Sequence, residues 1–370
     1  MSDVFTLQVP VPPSGARGYG VQVGEGVLEA VAPSVRAAAS AATRVGVLSD
    51  ENVFALHGAP LLARLRAAGL EPVVHVIAPG EASKHIESVL ACVDAWAAAG
   101  LSRRDAVVAL GGGVVTDLAG LVAHLYMRGV PWIAAPSSLL AQVDASVGGK
   151  VAVDRPGAKN LLGAFHFPAA VLVDPQLLTT LPRRELACGA AEMIKHALLF
   201  APEELPLLEA AAPALLAGDA VAAMPRVATS IALKAACVAG DPFENAPAGR
   251  VLLNLGHTVG HAIEHASGWA VGHGEAVALG LVAAARVSHH RGLATAELQS
   301  RVVEALSAFE LPHVLAPWLT PTARPLLAAA IALDKKRGTQ AVGTVTYIAL
   351  RDIGAPEVVA MSIDELMAAL

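Results

Sequence analysis

The sequence predicts an α/β protein of two domains, a parallel-sheet domain over residues 1–180 followed by a mostly α-helical domain over residues 181–370. Three observations carry this expectation. Short β-rich runs alternate with amphipathic stretches through the first half, the alternation fades near Pro182, and helical periodicity occupies most of the remaining chain. With 370 residues, 55% of them hydrophobic and 16% charged, the chain is long enough for two cores.

Strands are expected at 44–50, 73–77, 106–110, 132–135 and 170–174, each a short run rich in Val, Ile, Leu or Ala. The stretches 60–68, 86–99 and 117–127 between them are amphipathic, so the order is β-α-β-α-β and the sheet parallel and open. In such sheets ligands bind beyond the carboxyl ends of the strands, where glycine-rich turns let the backbone approach phosphate. Gly111-Gly112-Gly113 stands at one of these ends. Helices are expected near 183–199, 219–239, 257–267, 275–290, 295–308 and 323–333. One late β-rich run, 343–350, either pairs with a neighbour or returns to the first domain.

Composition narrows the function. A net charge of -6 gives no global attraction to nucleic acid or an anionic membrane, though local basic clusters still suit small anions. Cys92, Cys188 and Cys237 are few and widely spaced with no CxxC, as in a reducing cytoplasm. The first residues lack the basic and apolar regions of a signal peptide, and no uncharged apolar run approaches the roughly 18–20 residues of a membrane helix. A soluble, cytoplasmic enzyme without nucleic-acid or membrane partners is expected.

The chemistry is concentrated in Leu253-Asn-Leu-Gly-His257-Thr-Val-Gly-His261-Ala-Ile-Glu264, followed by His273-Gly-Glu275. Residues four apart share a helix face, so His257 and His261 project together with Glu264 one turn further on. Thr258 follows His257, so this is not the His-Glu-x-x-His of a zinc protease. An open catalytic metal site usually takes three protein ligands, and His273 and an upstream glutamate are candidates for the third. On the stretch from Arg183 to His196, Glu192 and Lys195 fall at i and i+3 in apolar surroundings, which suits a carboxylate ligand beside a cation.

The glycine turn Gly111-Gly112-Gly113 opens a helix and offers free N–H groups to a pyrophosphate. Asp50 ends an earlier strand, and Glu81 and Lys84 follow another, so several strand ends converge on one ligand. From Pro136 through Ser138, Asp144, Gly148, Gly149 and Lys150 to Lys159 and Asn160 the chain is too polar and glycine-rich for plain core. Its lysines suit an anionic or phosphorylated substrate, and Asp144 a hydroxyl or a nicotinamide-side group.

In order, GGGVVTDLAG, HLYMRG, LLAQVDASVGGK, KNLLGAFHFP, LPRRELACGAAEMIKH, LNLGHTVGHAIE, HGEAVALG and DKK closely resemble the 3-dehydroquinate synthase family of sugar phosphate cyclases. The resemblance covers about residues 45–350. It implies a Rossmann-like NAD-binding α/β domain, a mostly α-helical metal- and substrate-binding domain, and Zn2+ (or Co2+) on Glu192, His257 and His273. His261 then becomes a catalytic histidine beside the metal rather than a ligand.

Carried over by motif, the substrate positions are Arg128, Lys150, Lys159, Asn160, Lys195, Lys234, Arg250, Asn254, His261 and, in DKK, Lys336. Of the functional residues His261, Lys195, Asp144 and Lys150 are the catalytic candidates. NAD positions are Asp50, Glu81, Lys84, Gly111, Gly112, Gly113, Asp117, Ser137, Ser138, Asp144, Lys150 and Lys159. Arg128 matches an arginine that reaches the phosphate of the neighbouring subunit's substrate, which implies a homodimer.

The implied reaction converts 3-deoxy-D-arabino-heptulosonate 7-phosphate to 3-dehydroquinate by transient oxidation, phosphate elimination, re-reduction and intramolecular aldol closure. The alternatives are a related cyclase on a carboxylate-free sugar phosphate, or a metal-dependent polyol dehydrogenase. Lys234 and Arg250 suit a substrate carboxylate and favour the first reading. The chain departs from the family at Thr116, Ser137, Ser138 and Ala145, and its link from Asp241 to Arg250 is two residues longer than usual.

Overall fold

The computed structural model describes residues 5–9, 18–156, 158–335 and 344–370. The chain divides into two compact units, Met1–Pro182 with Gly218–Pro242, and Arg183–Ala217 with Phe243–Leu370. The stretch expected to be helical at 219–239 is therefore built into the first unit, although its sequence neighbours belong to the second.

The first unit is a seven-stranded sheet. Its strands are β1 (Phe5–Val9), β2 (Tyr19–Val23), β3 (Arg44–Asp50), β4 (Glu71–Ile77), β5 (Ala106–Gly111), β6 (Trp132–Pro136) and, after a hairpin of β7 (Lys150–Arg155) and β8 (Ala158–Phe165), β9 (Ala170–Val173). The order across the sheet is β1-β2-β9-β6-β5-β3-β4, parallel throughout except for the β1–β2 pair. All five strands expected from the sequence are present and mutually parallel. The β1–β2 edge was not expected, nor the β7–β8 hairpin, where a polar, glycine-rich segment turns out to be regularly paired.

Helices cover both faces, because side chains alternate along each strand. Val45, Val47, Val108, Leu110 and Ile133 face Val31 and Val35 of α1 (Val31–Ala38), and also Leu61 and Leu65. These leucines belong to α3 (Ala59–Ala67), reached from the short α2 (Glu51–Val53) through a π-turn. On the other face Gly46 leaves room for Trp96 of α4 (Ile86–Ala98), whose ring lies 2.9 Å from where a Cβ would stand. Then α5 (Gly113–Leu125) begins directly at the glycine turn, four residues before the expected start at 117, since Gly113 already belongs to its first turn. Burying each such Leu or Val fully is worth about 1.5–3 kcal/mol, which fixes strand register and hence the strand ends.

The second unit is built on α6 (Arg183–Phe200), buried on all sides from Leu186 to Leu199. Next in sequence come α7 (Glu204–Leu216), which was not expected from the sequence, and the first unit's α8 (Ala220–Gly240). α9 (His257–Ala266), α10 (His273–His290), α11 (Ala296–Ala308) and α12 (Ala323–Lys335) come after them. The late β-rich run becomes β10 (Thr344–Asp352), antiparallel to β11 (Ala355–Ser362), and α13 (Ile363–Ala369) closes the chain with a capping box from Ser362 and Glu365. The hairpin is anchored by Leu350 N–H on Ser288 Oγ (2.9 Å) and Gly354 N–H on Leu198 O (2.8 Å).

Among the described residues, one helix, Ala220–Gly240, is long and apolar enough to cross a membrane. It carries Pro225, Arg226 and Lys234, and the Lys234 ammonium is committed to Asp144 within the same unit.

Candidate active site

In the sheet unit, β3 and β5 are neighbours whose connections leave in opposite directions, β3 to β4 and β5 to β6. The crevice at their carboxyl ends is thus the topological switch point. There Gly111 and Gly112 lead into α5, whose N-terminus has no side-chain cap, so its first N–H groups are available to an anion. A Cβ on Gly112 would come 3.4 Å from Ser138 Oγ, narrowing the approach. Ser137 N–H holds Gly111 O at 2.9 Å, and Ser138 Oγ accepts from Ala141 N–H, so β6 supplies the second wall. Asp50 ends β3; its Oδ1 caps α2 through Asn52 and Val53 N–H, and a carboxylate has a second oxygen with which to meet a ribose hydroxyl. Thr116 is buried, its hydroxyl donating to Gly113 O at 3.0 Å, which explains why a side chain is tolerated there.

Lys84 gathers the rest. Its Nζ lies 2.6 Å from Asp117 Oδ2, 2.6 Å from Asn160 Oδ1 and 4.0 Å from Glu81 Oε1, while Lys159 Nζ is 3.5 Å from Glu81. Burial by itself would lower the Lys84 pKa, but the Asp117 and Glu81 carboxylates outweigh it and hold the ammonium charged. Asn160, expected at the substrate, is here joined to the Lys84 cluster; it sits at φ +50°, a left-handed conformation that Asn tolerates. Asp144 lies on a π-turn, Ala141–Ala145, and Lys234 Nζ meets its Oδ1 at 2.6 Å and its carbonyl at 2.6 Å.

Two further expected residues are exposed. Lys150 opens β7, four residues before the Asp154 whose N–H bonds Lys84 O. Arg128 is exposed beyond the carboxyl end of α5, roughly 20 Å of helix from the glycine turn.

In the helical unit, glycines set the geometry. Gly256 is left-handed at φ +79° and caps α9, and a Cβ on Gly280 of α10 would fall 1.8 Å from Gly256 O. Likewise a Cβ on Gly274 would fall 2.2 Å from Cys188 O on α6. Only glycine permits these approaches, and they bring His257 and His273, each the first residue of its helix, over the buried carboxylate of Glu192.

His257 Nε2 is 3.5 Å and His273 Nε2 3.3 Å from Glu192 Oε1. One donor atom from each of the three lies within 4.8 Å of the others. The far ring nitrogens are spoken for: His257 Nδ1–H points at Leu255 O (3.1 Å) and His273 Nδ1 meets Glu264 Oε1 (3.4 Å). Both Nε2 atoms therefore face the same centre, the arrangement in which outer partners orient ligating histidines. Burial, with Lys195 next, pushes His257 down to about 3, so it is neutral and able to ligate. Burial also acts to lower His273, but Glu192 and Glu264 overcome it and raise the group to about 9, so a cation there takes the place of a proton.

Lys195 is buried and paired with Glu192, and Arg250 is buried on a 3-10 turn that also carries Asn254, whose amide donates to Glu244 Oε1 at 2.9 Å. The His261 ring stands 5.2 Å from that of His257 and 6.1 Å from that of His273. A second group of possible donors, His261, Glu264 and His273, shares His273. The orientation of both Nε2 atoms toward Glu192 favours the first. Lys336 lies outside the described residues. In the sequence Glu264 stands out only for its position one turn after His261; its buried carboxylate on the third histidine is a functional feature that the spacing does not announce.

Two family models, 3-dehydroquinate synthase N-terminal and 3-dehydroquinate synthase C-terminal, match residues 74–188 and 189–337. The chain belongs to the 3-dehydroquinate synthase family. A family member from Caulobacter vibrioides, named 3-dehydroquinate synthase, is 44% identical over 343 residues, covering 92% of this chain and 91% of that protein. Among solved structures, 2-epi-5-epi-valiolone synthase from Streptomyces hygroscopicus subsp. jinggangensis 5008, with NAD+ and Zn2+ bound, has a TM-score of 0.84 at 30% identity, covering 97% of each chain. A 2-deoxy-scyllo-inosose synthase complexed with carbaglucose-6-phosphate, NAD+ and Co2+ has a TM-score of 0.85 at 23% identity, covering 99% of each chain, and shares the fold.

Proposed function

We propose that this member of the 3-dehydroquinate synthase family is itself a 3-dehydroquinate synthase. It is a carbon–oxygen lyase that converts 3-deoxy-D-arabino-heptulosonate 7-phosphate to 3-dehydroquinate and phosphate in the shikimate pathway, as a cytoplasmic homodimer. The observation that carries this reading is the pair of histidines whose Nε2 atoms are both turned onto the buried Glu192. The donor set, one carboxylate and two imidazoles, fits Zn2+ or Co2+, and the uncapped glycine turn at the switch point fits the pyrophosphate of NAD.

When bound, NAD+ supplies a reversible hydride acceptor and the divalent ion a Lewis acid for the hydroxyl being oxidised. The remaining work falls to the chain. Glu81, Lys84, Asp117 and Lys159 form the charged wall beside the dinucleotide. Lys234, held on Asp144, and the buried guanidinium of Arg250 are the cations for the substrate carboxylate. Asn254 and Asn160 hold hydroxyls, Lys195 and Lys150 keep positive charge near the leaving phosphate, and Lys336 with Arg128 of a second subunit completes its recognition. His261 moves the proton released next to the metal, while Glu264 orients His273. Since the departing phosphate can accept a proton itself, cations and amides outnumber obvious general bases.

A product assay with the seven-carbon acid and with a carboxylate-free heptulose phosphate separates the two cyclase readings. The acid should be the better substrate by about a hundredfold or more in kcat/KM, given two charge-assisted contacts to its carboxylate. Turnover of the carboxylate-free compound alone contradicts the proposal.

A further inference from the structure

We infer that His166 is a positioning residue for phosphate recognition, tying the turn that presents Arg128 to the glycine pair that precedes Lys150. The inference rests on the reading of Arg128 as a phosphate contact and adds to it what holds that contact in place.

The turn is unusual. Met127, Arg128 and Gly129 lie consecutively in the left-handed region, at φ +48°, +68° and +110°. Two non-glycine residues persist there only where surrounding structure over-determines them. Within the turn, Gly129 N–H bonds Tyr126 O and Val130 N–H bonds Ala123 O, each at 2.9 Å. From outside, the Tyr126 hydroxyl donates to Leu101 O at 2.8 Å on the entering side, and on the leaving side His166 Nε2 meets Val130 O at 3.1 Å. A carbonyl can only accept, so Nε2 carries the hydrogen. Burial, the largest influence on the ring, pushes its pKa down and so favours the neutral form, and the His124 ring lies edge-on at 5.3 Å.

The same residue holds a second segment. His166 N–H donates to Gly149 O at 2.8 Å, next to Lys150, and its own carbonyl accepts from Trp132 Nε1 at 3.1 Å. Gly148 and Gly149 are both left-handed, at φ +107° and +66°, and the Phe167 ring lies 2.6 Å from where a Gly149 Cβ would stand. One residue therefore sets the spacing of two turns that each carry an exposed cation, Arg128 and Lys150. It touches no reacting group; its effect passes through those two turns.

The test uses the NAD- and metal-loaded enzyme and phosphate release from 3-deoxy-D-arabino-heptulosonate 7-phosphate. His166→Phe keeps the ring and removes the donor; it should raise KM by about tenfold while kcat stays within about twofold. His166→Gln keeps an N–H donor and should bring KM back to within about twofold of the wild type. Arg128→Ala should raise KM at least as much, and adding His166→Phe to it should cost less than about twofold more. Where His166→Phe proves too unstable for kinetics, hydrogen exchange of the His166→Gln and wild-type proteins is compared with that of His166→Asn. Faster exchange at 127–130 in His166→Asn alone supports the tie, and unchanged exchange there overturns it. An unchanged KM in His166→Phe beside a raised KM in Arg128→Ala overturns the role of His166 and leaves the reading of Arg128 intact. An unchanged KM in Arg128→Ala removes the basis for both.

Discussion

At the carboxyl edge of the sheet the groups offered to a ligand are largely backbone N–H groups at the start of α5, with a wall of partly exposed charges around Lys84. In the helical unit they are side chains: a fully buried Glu192, two histidines with fixed ring orientation, and a buried Lys195. The first arrangement depends little on side-chain identity, since a backbone N–H does not depend on its side chain. The second depends on it, because removing one partner leaves charge uncompensated in a place water does not reach. Serial strand ends suit a large, flexible dinucleotide; a compact cluster suits a small ion.

The largest effect that tests this contrast is expected from His257→Ala. Metal content should fall to background and turnover by at least about a hundredfold, while NAD+ affinity of the purified protein stays within about twofold. A joint loss of NAD+ binding would erase the distinction between the two regions. Next is Glu264→Gln, which keeps the shape and removes the charge that orients His273; metal affinity by chelator competition should drop about 10–100-fold, with the ligands themselves untouched.

Metal affinity should also depend on pH with a definite sign. The His273 pKa in the metal-free protein is raised to about 9, above the ordinary 6.5, so the proton competes with the ion. Affinity should climb about tenfold per pH unit from neutrality and level off near 9. The same shift contributes stability to the metal-free fold that is full below 6.5 and lost as pH rises through about 9. In Glu264→Gln the plateau should arrive at lower pH. The smallest effect belongs to the sheet edge: Asp50→Ala removes the cap on α2, costing about 1 kcal/mol in a denaturant melt, with a modest rise in the KM for NAD+.

The two regions also differed in how much the sequence disclosed. The strands β3, β4, β5, β6 and β9 were legible because each is an apolar run between turn residues, and the glycine turn follows one of them directly. The β7–β8 hairpin was hidden by its own glycines and lysines, which read as a ligand loop, and α7 by Pro206 and Pro213. In the helical unit the i, i+4 spacing of His257 and His261 suggested a metal site, whereas the two Nε2 atoms turned onto Glu192 are those of His257 and His273. The site's third member, Glu192, comes from a helix about sixty residues upstream. What brings it in is Gly274 against Cys188 and Gly280 against Gly256, contacts between helices that no local pattern encodes. The family resemblance supplied the ligand set, and the geometry gave Glu264 and Leu255 O their reason for being there.

The central claim is that one chain combines a dinucleotide edge and a metal cluster for a cyclisation in which the cofactor is returned unchanged. It is tested most directly by following phosphate release from 3-deoxy-D-arabino-heptulosonate 7-phosphate with NAD+, with and without chelator, while recording absorbance of the reduced cofactor. The expected result is phosphate and 3-dehydroquinate in equal amounts, abolished by chelator, with no net accumulation of NADH. Steady NADH build-up, as a polyol dehydrogenase would give, or full turnover in chelator would contradict it.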